Sequence, residues 1–590
     1  MDRTGIIVIT ICAILLGVWF YESNRYESYV AQQKAAQEKI IAAQQSPATV
    51  STVPGKTATP GFSFSTNVSE RTITLTNKLA RYTFTSRGGG IKSVELVGYP
   101  ETISPRWKGG MSTNTLATLN AGASVPVMAI LGDPAFVGDG DFSLTKMDDG
   151  IEAEKPLPNG LVVTKDFHLG SNYLVTVDVR FKNDSGKSIS LPPQQWVVGT
   201  ATPMEIDDLN FAAYGGAMWC DGSTYQPFSL SYFSKSTSYL GVIPRTPKTE
   251  YEQGNGNVFW GAAYNQYFVL LAMPKVNQPA QQLFAVPVDL ATTNNWTGIQ
   301  TALVYPEQTI APGQVFERQM TLYAGPKKFQ LLESIGDQMQ NHADLAMNFG
   351  KGYSGFWGIG SFFAKVLLLL MNWLHSLLPK ISYGWIIVLL TVLLRVFFYP
   401  FTAASMRSMK KMQALGPEVK QLKEKYGDDP QKLMQKQSEL FRKHGVSPLG
   451  GCLPAFIQMP VFLGFFTMIR SAIELRGAHF LWIADLSKPD TLFIIPGLNF
   501  PFNFLPLLMV GVMVWQAHLQ PVSPGVDPSQ QKMMRYMPLI FLVFLYNYSA
   551  GMALYMTIST LAGIIQIRLI KTTQPAPVVS PLTPPQKKKK

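Results

Sequence analysis

The chain has 590 residues, 46% of them hydrophobic, and a formal net charge of +12. Its mean hydropathy is only slightly positive, too low for a bundle of membrane spans alone. A purely soluble protein would rarely carry the apolar runs found here, so the averages exclude either class by itself and require two parts of different character.

Charge divides the chain near residue 350. Tyr21–Gly350 holds 24 Lys+Arg and 28 Asp+Glu, a net of −4, whereas Lys351–Lys590 holds 25 and 9, a net of +16. The first part reads as an ordinary soluble domain. The second is basic and apolar, as expected of spans joined by cytoplasmic loops. Of the three cysteines, Cys12, Cys220 and Cys452, only Cys220 falls in the first part. A single thiol offers no internal disulfide, so this domain must rely on its own core.

In chain order, residues 1–21 open with Met-Asp-Arg-Thr, run apolar from Gly5 to Phe20 and close on Trp19-Phe20-Tyr21. With no small-x-small cleavage site after it, this run reads as an uncleaved signal anchor; a cleaved signal peptide is the alternative. Residues 22–60, rich in Ala, Gln, Ser, Thr and Pro, form a linker, helical at Ala31–Ala43. Residues 61–350 are expected to form a large β-sandwich, with strands from Ser63 to about Tyr323. Short alternating runs such as Tyr173–Val179 are punctuated by Gly, Pro, Asn and Asp clusters. A helix at Lys327–Met347 leads back toward the membrane. Residues 355–380 hold an apolar run broken by Lys365, Asn372 and His375, which suggests a helix lying in the interface, with a true span as the alternative.

Residues 383–570 contain five apolar stretches: Tyr383–Phe401, Leu453–Ile473, Phe502–Leu519, Met537–Asn547 and Ala550–Leu569. With the N-terminal anchor they make six spans, although the fourth is too short to cross ~30 Å of hydrocarbon upright. The loop Thr402–Ser447 carries ten Lys+Arg and the tail 571–590 carries five, so both are placed in the cytoplasm. Span parity then puts both termini in the cytoplasm and residues 22–350 outside it. Residues 403–446 read as a helical hairpin. Met406, Met409 and Met412 share one face with Leu415, Gly416-Pro417 kinks the first arm, and Asp429 caps a return helix begun by Pro430. Met surfaces adapt to varied apolar partners, but the stripe could equally pack the hairpin against itself. The tail ends in Lys587–Lys590, suited to ribosomal RNA or anionic lipid, or to topology alone.

The strongest functional signal is Arg395, inside the run Leu389–Phe398. A guanidinium in a span costs ~2.5–3.5 kcal/mol on insertion scales. The cores of the expected spans hold no Asp or Glu to neutralise it. A water-filled cavity within the bundle would make the charge tolerable; snorkelling to the interface beside Tyr399-Pro400 is the alternative. Thr391 lies one turn away on the same face, and Gln458 and Gln516 are polar candidates to line the same hollow. A cation there would attract the acidic tails of simple membrane proteins.

Several strings resemble the YidC family of membrane protein insertases. They are Arg395 with Tyr399-Pro400, Pro448-Leu449-Gly450-Gly451-Cys452, Ile457-Gln458-Met459-Pro460, Leu481–Ser487 and Asp527–Pro538. The chain departs from the family before its last stretch, where Tyr548-Ser549-Ala550-Gly551 replaces an aromatic-Pro-Ser-Gly turn. The resemblance implies a polytopic α-helical protein of the bacterial inner membrane with a large periplasmic all-β sandwich and a cytoplasmic helical hairpin. It further implies a hydrophilic groove carrying Arg395, with substrate contacts at Thr391, Met459, Phe462 and Tyr555. The activity implied is insertion and folding of inner-membrane proteins, alone or with the Sec translocon. The partners implied are nascent membrane proteins, SecYEG and SecDF, the ribosome and the phospholipid bilayer, with no specific nucleic-acid sequence. No cofactor, metal or covalent chemistry is expected. A protease would need Asp pairs, Ser with a base or His-Glu-x-x-His in its spans, and a transporter would show internal repeats. The sandwich resembles carbohydrate-active modules, yet no paired carboxylates stand out in it.

Overall fold

The computed structural model describes residues 69–103, 115–132, 141–204, 214–234, 247–291, 296–350, 355–427, 429–445, 453–498, 500–520 and 528–569. The expected anchor, linker and basic tail, and the run Pro448–Cys452, lie outside the described residues. The described residues form two compact units, a β-rich one up to Phe362 together with Arg470–Ile473, and a helical one made of the rest.

Period-two patterning builds the β-rich unit. In Leu174–Asn183 the side chains of Val175, Val177, Val179 and Phe181 are fully buried while Thr176, Asp178 and Arg180 between them face outward. This strand lies in an antiparallel sheet of nine described strands. From one edge the strands are Tyr225–Ser229, Gly216–Cys220, Trp260–Tyr264, Phe268–Pro274, Val315–Pro326, Leu174–Asn183, Leu161–Leu169, Gly150–Pro156 and Ser143–Lys146. A five-stranded sheet packs on it, ordered Tyr251–Gln253, Gln282–Asp289, Thr297–Tyr305, Gln194–Ala201 and Ile130–Leu131. Contact between the sheets is close enough to require glycine. A Cβ on Gly261 of the large sheet would come within 2.6 Å of Leu283 and 2.9 Å of Leu303 on the other. Phe181 and Trp196 meet across the same gap, ring centres 6.3 Å apart. The sandwich expected from the alternating runs is therefore present. A four-stranded sheet over Thr72–Leu119 extends it.

Two buried groups in this unit are chemically notable. Lys165 is fully buried; its Nζ donates to the carbonyls of Gly88 and Met128 at 2.7 and 2.8 Å and sits 4.6 Å from the Phe142 ring centre. Desolvation, helped by the nearby Lys155, pulls its pKa down to about 7. Cys220 is a buried free thiol whose pKa burial raises, consistent with an inert core residue. Helix α1, Phe329–Met339, follows the last strand of the sandwich. Gln340 in the left-handed conformation ends it, so the expected Lys327–Met347 helix is divided from a 3₁₀ turn at Ala343–Met347.

The later helices are α2 (Gly355–Leu377), α3 (Tyr383–Phe397), α4 (Tyr399–Ala414), α5 (Gly416–Tyr426), α6 (Pro430–Lys443) and α7 (Leu453–Ser471), then α8 (Phe504–Leu519), α9 (Pro528–Tyr536), α10 (Pro538–Leu545) and α11 (Ala550–Leu569); all but the start of α2 and the last two residues of α7 lie in the helical unit. Among the described residues, two helices are long and apolar enough to cross a membrane, α2 over Gly360–Leu377 and α11. The pair α3–α4, bent by 57°, makes a third if it is one span. Among the described residues, which leave out the expected N-terminal anchor, the expected six spans are thus not confirmed. At 1.5 Å per residue, the 16 residues of α8 give ~24 Å and the eight of α10 only ~12 Å. Phe502, expected at the head of the third stretch, instead belongs to a strand, Phe500–Asn503, paired with Thr491–Ile495. By length and hydropathy α2 meets the requirements of a span as well as those of an interfacial helix.

The helical hairpin comprises α4–α6. Asp429 caps α6 as expected, its Oδ1 accepting from the Lys432 amide at 3.1 Å, with Pro430 in the first turn. Gly445, at φ +62°, follows its end. The methionine face is not presented to solvent. Met406 packs with Ala403, Met409 and Ile567 of α11, and Met412 packs with Leu415 and Phe441 of α6. The stripe is core, because an apolar ridge gains more from packing on α6 and α11 than from water. Among the described residues the most exposed methionines are Met434 and Met533.

Candidate functional site

Arg395 sits in the last turn of α3, where the chain bends into α4 beside Pro400. Its guanidinium turns toward α11. Nε and Nη2 both donate to the Ser559 hydroxyl, at 3.0 and 2.6 Å. Among the described residues this neutral oxygen is its hydrogen-bond partner, and no carboxylate pairs with it. A guanidinium has five N–H donors in a fixed fork, so Ser559 leaves donor capacity, Nη1 included, unspent. The Arg395 backbone carbonyl accepts from Gln566 Nε2 at 3.0 Å, which ties the end of α3 to the end of α11.

The facing surface of α11 is built at helical spacing: Tyr555, Ser559 and Gly563 lie four residues apart on one face. Tyr555 is buried; its hydroxyl accepts from Gln458 Nε2 at 2.6 Å and its ring stacks on Phe465 at 3.9 Å. Both Gln458 and Phe465 belong to α7. Gly563 leaves the space that Gln516 of α8 enters. A Cβ there would lie 2.4 Å from Gln516 Nε2 and 3.8 Å from Arg395 Nη1. One cation, three hydroxyl or amide groups and a further glutamine thus converge from α3, α7, α8 and α11. A buried polar group without a partner costs free energy, and these groups answer that cost mainly with one another.

Of the residues singled out in the sequence, Arg395, Gln458, Gln516 and Tyr555 are brought together. Thr391 is one turn before Arg395 but its hydroxyl donates to the Ile387 carbonyl of its own helix at 2.6 Å, so it is buried without offering a free polar group to the hollow. Met459 is exposed, and Phe462, part-buried, stacks on Phe466, which in turn stacks on Tyr548. These two give an apolar flank on α7. Met406, Met409 and Met412 pack within the hairpin and against α11 as described above. Ser559, Gly563 and Gln566 were not anticipated. Their sequence signal was the spacing from Tyr555, four residues to Ser559, four more to Gly563 and three more to Gln566, a polar and small stripe in an otherwise apolar helix.

Two family models match the chain: a YidC periplasmic domain over residues 72–368 and a 60Kd inner membrane protein over residues 373–576. Curated relatives agree. A membrane protein insertase YidC of Pseudomonas aeruginosa is 31% identical over 533 residues, covering 85% of this chain and 84% of the relative. One of Marinobacter nauticus is 30% identical over 527 residues, covering 85% and 82%. A solved structure described as an active YidC insertase with the first transmembrane domain resolved is 18% identical, covering 86% of this chain and 94% of that one at a TM-score of 0.33; the assignment rests on the sequence matches instead. The chain belongs to the YidC family of inner-membrane protein insertases.

Proposed function

We propose that the helical unit inserts apolar segments of nascent membrane proteins through a hydrated groove that contains Arg395, Ser559, Gln458, Tyr555 and Gln516. The observation carrying this reading is a guanidinium held by a neutral hydroxyl, with donors to spare and no carboxylate partner among the described residues. In dry hydrocarbon such a charge is unfavourable by several kcal/mol. In a wet groove it is a fixed positive potential for the acidic tail of a client. Met459 and Phe462 supply an apolar flank along which a client helix slides while its tail passes the cation. The work is transfer of a chain between phases, and no covalent step belongs to it.

In this reading the α4–α6 hairpin and the basic tail lie in the cytoplasm, the β-sandwich lies in the periplasm, and α2 rests in the interface. The ten basic residues of 402–447 suit the ribosome and anionic lipid, and SecYEG and SecDF are partners for larger clients. Photocrosslinkers at Thr391, Met459 and Tyr555 should capture a stalled nascent membrane protein from Met459 and, less strongly, from buried Tyr555. Adducts from none of the three would refute the groove. Arg395→Lys should retain insertion, while Arg395→Glu reverses a potential worth ~1 kcal/mol at ~10 Å, a swing of ~2 kcal/mol, and should slow acidic-tailed clients roughly thirty-fold. Equal rates for acidic and neutral tails in Arg395→Glu would remove the electrostatic role.

A further inference from the structure

The strand pair Thr491–Ile495 and Phe500–Asn503 has no part in the groove, yet its construction is distinctive. Its base is locked. Asn503 is fully buried; its Nδ2 donates to the Tyr546 carbonyl at 2.8 Å and to Asn547 Oδ1 at 3.3 Å, and its Oδ1 accepts from Thr491 Oγ1 at 2.7 Å. The Tyr546 hydroxyl donates to the Pro501 carbonyl at 2.8 Å, and Phe500 stacks on the Tyr546 ring. The tip is the opposite. Leu498 is 74% exposed, and Phe493, Ile494 and Phe500 are also exposed.

Phe493 and Ile494 are consecutive in one strand, so they point to opposite faces. A hairpin that docks on a protein surface hides one apolar face and wets the other. This one presents large apolar side chains on both. From Thr491 through Ala517 there is not one Asp, Glu, Lys, Arg or His. The strand runs directly into α8, whose Phe504, Leu507, Leu508 and Trp515 are themselves exposed, so the apolar surface is continuous from hairpin to membrane helix.

We propose that this β-hairpin is a membrane-seated element whose ligand is phospholipid: its tip occupies the headgroup–acyl boundary of the leaflet away from the basic helical hairpin. Chain order sets the leaflet, since α7 leads from the basic hairpin to this segment and α8 leads back. Depth follows from the backbone. A two-stranded ribbon leaves unpaired N–H and C=O groups on both outer edges, which hydrocarbon cannot satisfy but headgroups and water can. The hairpin also extends the apolar length of α8, itself too short for a full crossing.

The test uses the full chain in vesicles of phosphatidylethanolamine and phosphatidylglycerol, with Cys12, Cys220 and Cys452 replaced and an NBD fluorophore on Leu498→Cys or, on one strand face, Ile494→Cys. A reporter on exposed Glu252→Cys in the sandwich is the aqueous reference. At both hairpin positions emission should be blue-shifted, lost to a doxyl quencher near the lipid headgroup more than to one near the acyl end, and unaffected by aqueous iodide. The reference should show the reverse. Iodide quenching without doxyl quenching would overturn the proposal, and so would protection from both, which would mean that a client, a second copy or another part of the chain covers the tip. The readout needs no client, so it stands or falls apart from the insertase groove.

Discussion

Gly563→Ala separates the site from the stability of the fold. The new Cβ would lie 2.4 Å from Gln516 Nε2, about 1 Å inside the 3.4 Å of ordinary contact. That atom ends a flexible side chain, so the amide moves and neither helix backbone has to yield. Against this small cost, alanine is better than glycine inside a helix by roughly 1 kcal/mol. The variant should therefore melt at or above the parent temperature. Its site, however, is altered: Gln516 is displaced and the methyl group lies 3.8 Å from Arg395 Nη1, where the guanidinium has its unspent donor. Insertion of a single-span client with an acidic tail into proteoliposomes should fall several-fold, and the larger Gly563→Leu should all but abolish it. Thermal unfolding in the same preparation reports the fold. Parent-like insertion by a folded Gly563→Leu would place the client route elsewhere.

Lys165 makes a pH prediction for the sandwich. Its folded-state pKa of about 7 lies below the 10.5 of an exposed lysine, so the unfolded chain binds the extra proton between those values. Stability linked to this group is complete above the unfolded value, declines as pH falls from 10.5 toward 7, and is level below that, a total change of about 5 kcal/mol. Chemical denaturation of the full chain followed by tryptophan fluorescence should show this slope in the parent and lose it in Lys165→Met; identical slopes would mean the ammonium stays charged in the fold. Met412→Ala should loosen the helical hairpin by roughly 2–5 kcal/mol, because Met412 packs against Leu415 and Phe441, whereas exposed Met434→Ala should not. Hydrogen exchange over α6 measures this, and unchanged protection in Met412→Ala would argue that the methionine face serves clients and not packing.

Much of the architecture was legible in one dimension because its signals are local. Alternation in Leu174–Asn183 needs only a period of two, and the return helix of the hairpin announces itself through Asp429 and Pro430, whose capping geometry involves neighbours three residues away. Arg395 was legible for a different reason, since a charge inside an apolar run demands an explanation wherever it ends up. Helix ends were less legible. Phe502 looked like the head of an apolar helix, and only the distant Tyr546 and Asn547, holding Asn503, turn that stretch into a strand.

The partners of the charge could not be read along the chain. Ser559 is 164 positions from Arg395, and serine in an apolar helix carries no mark of what it will meet. Thr391 looked like the better neighbour at one helical turn, yet its hydroxyl is spent on its own backbone. The methionine stripe is the mirror case: its periodicity announced an apolar face, but whether that face meets a client or the second arm depends on what lies within reach in space. Composition and period settle which segments must leave water. Which surfaces and polar groups then find each other is a matter of packing between segments far apart in sequence, and only the folded chain decides it.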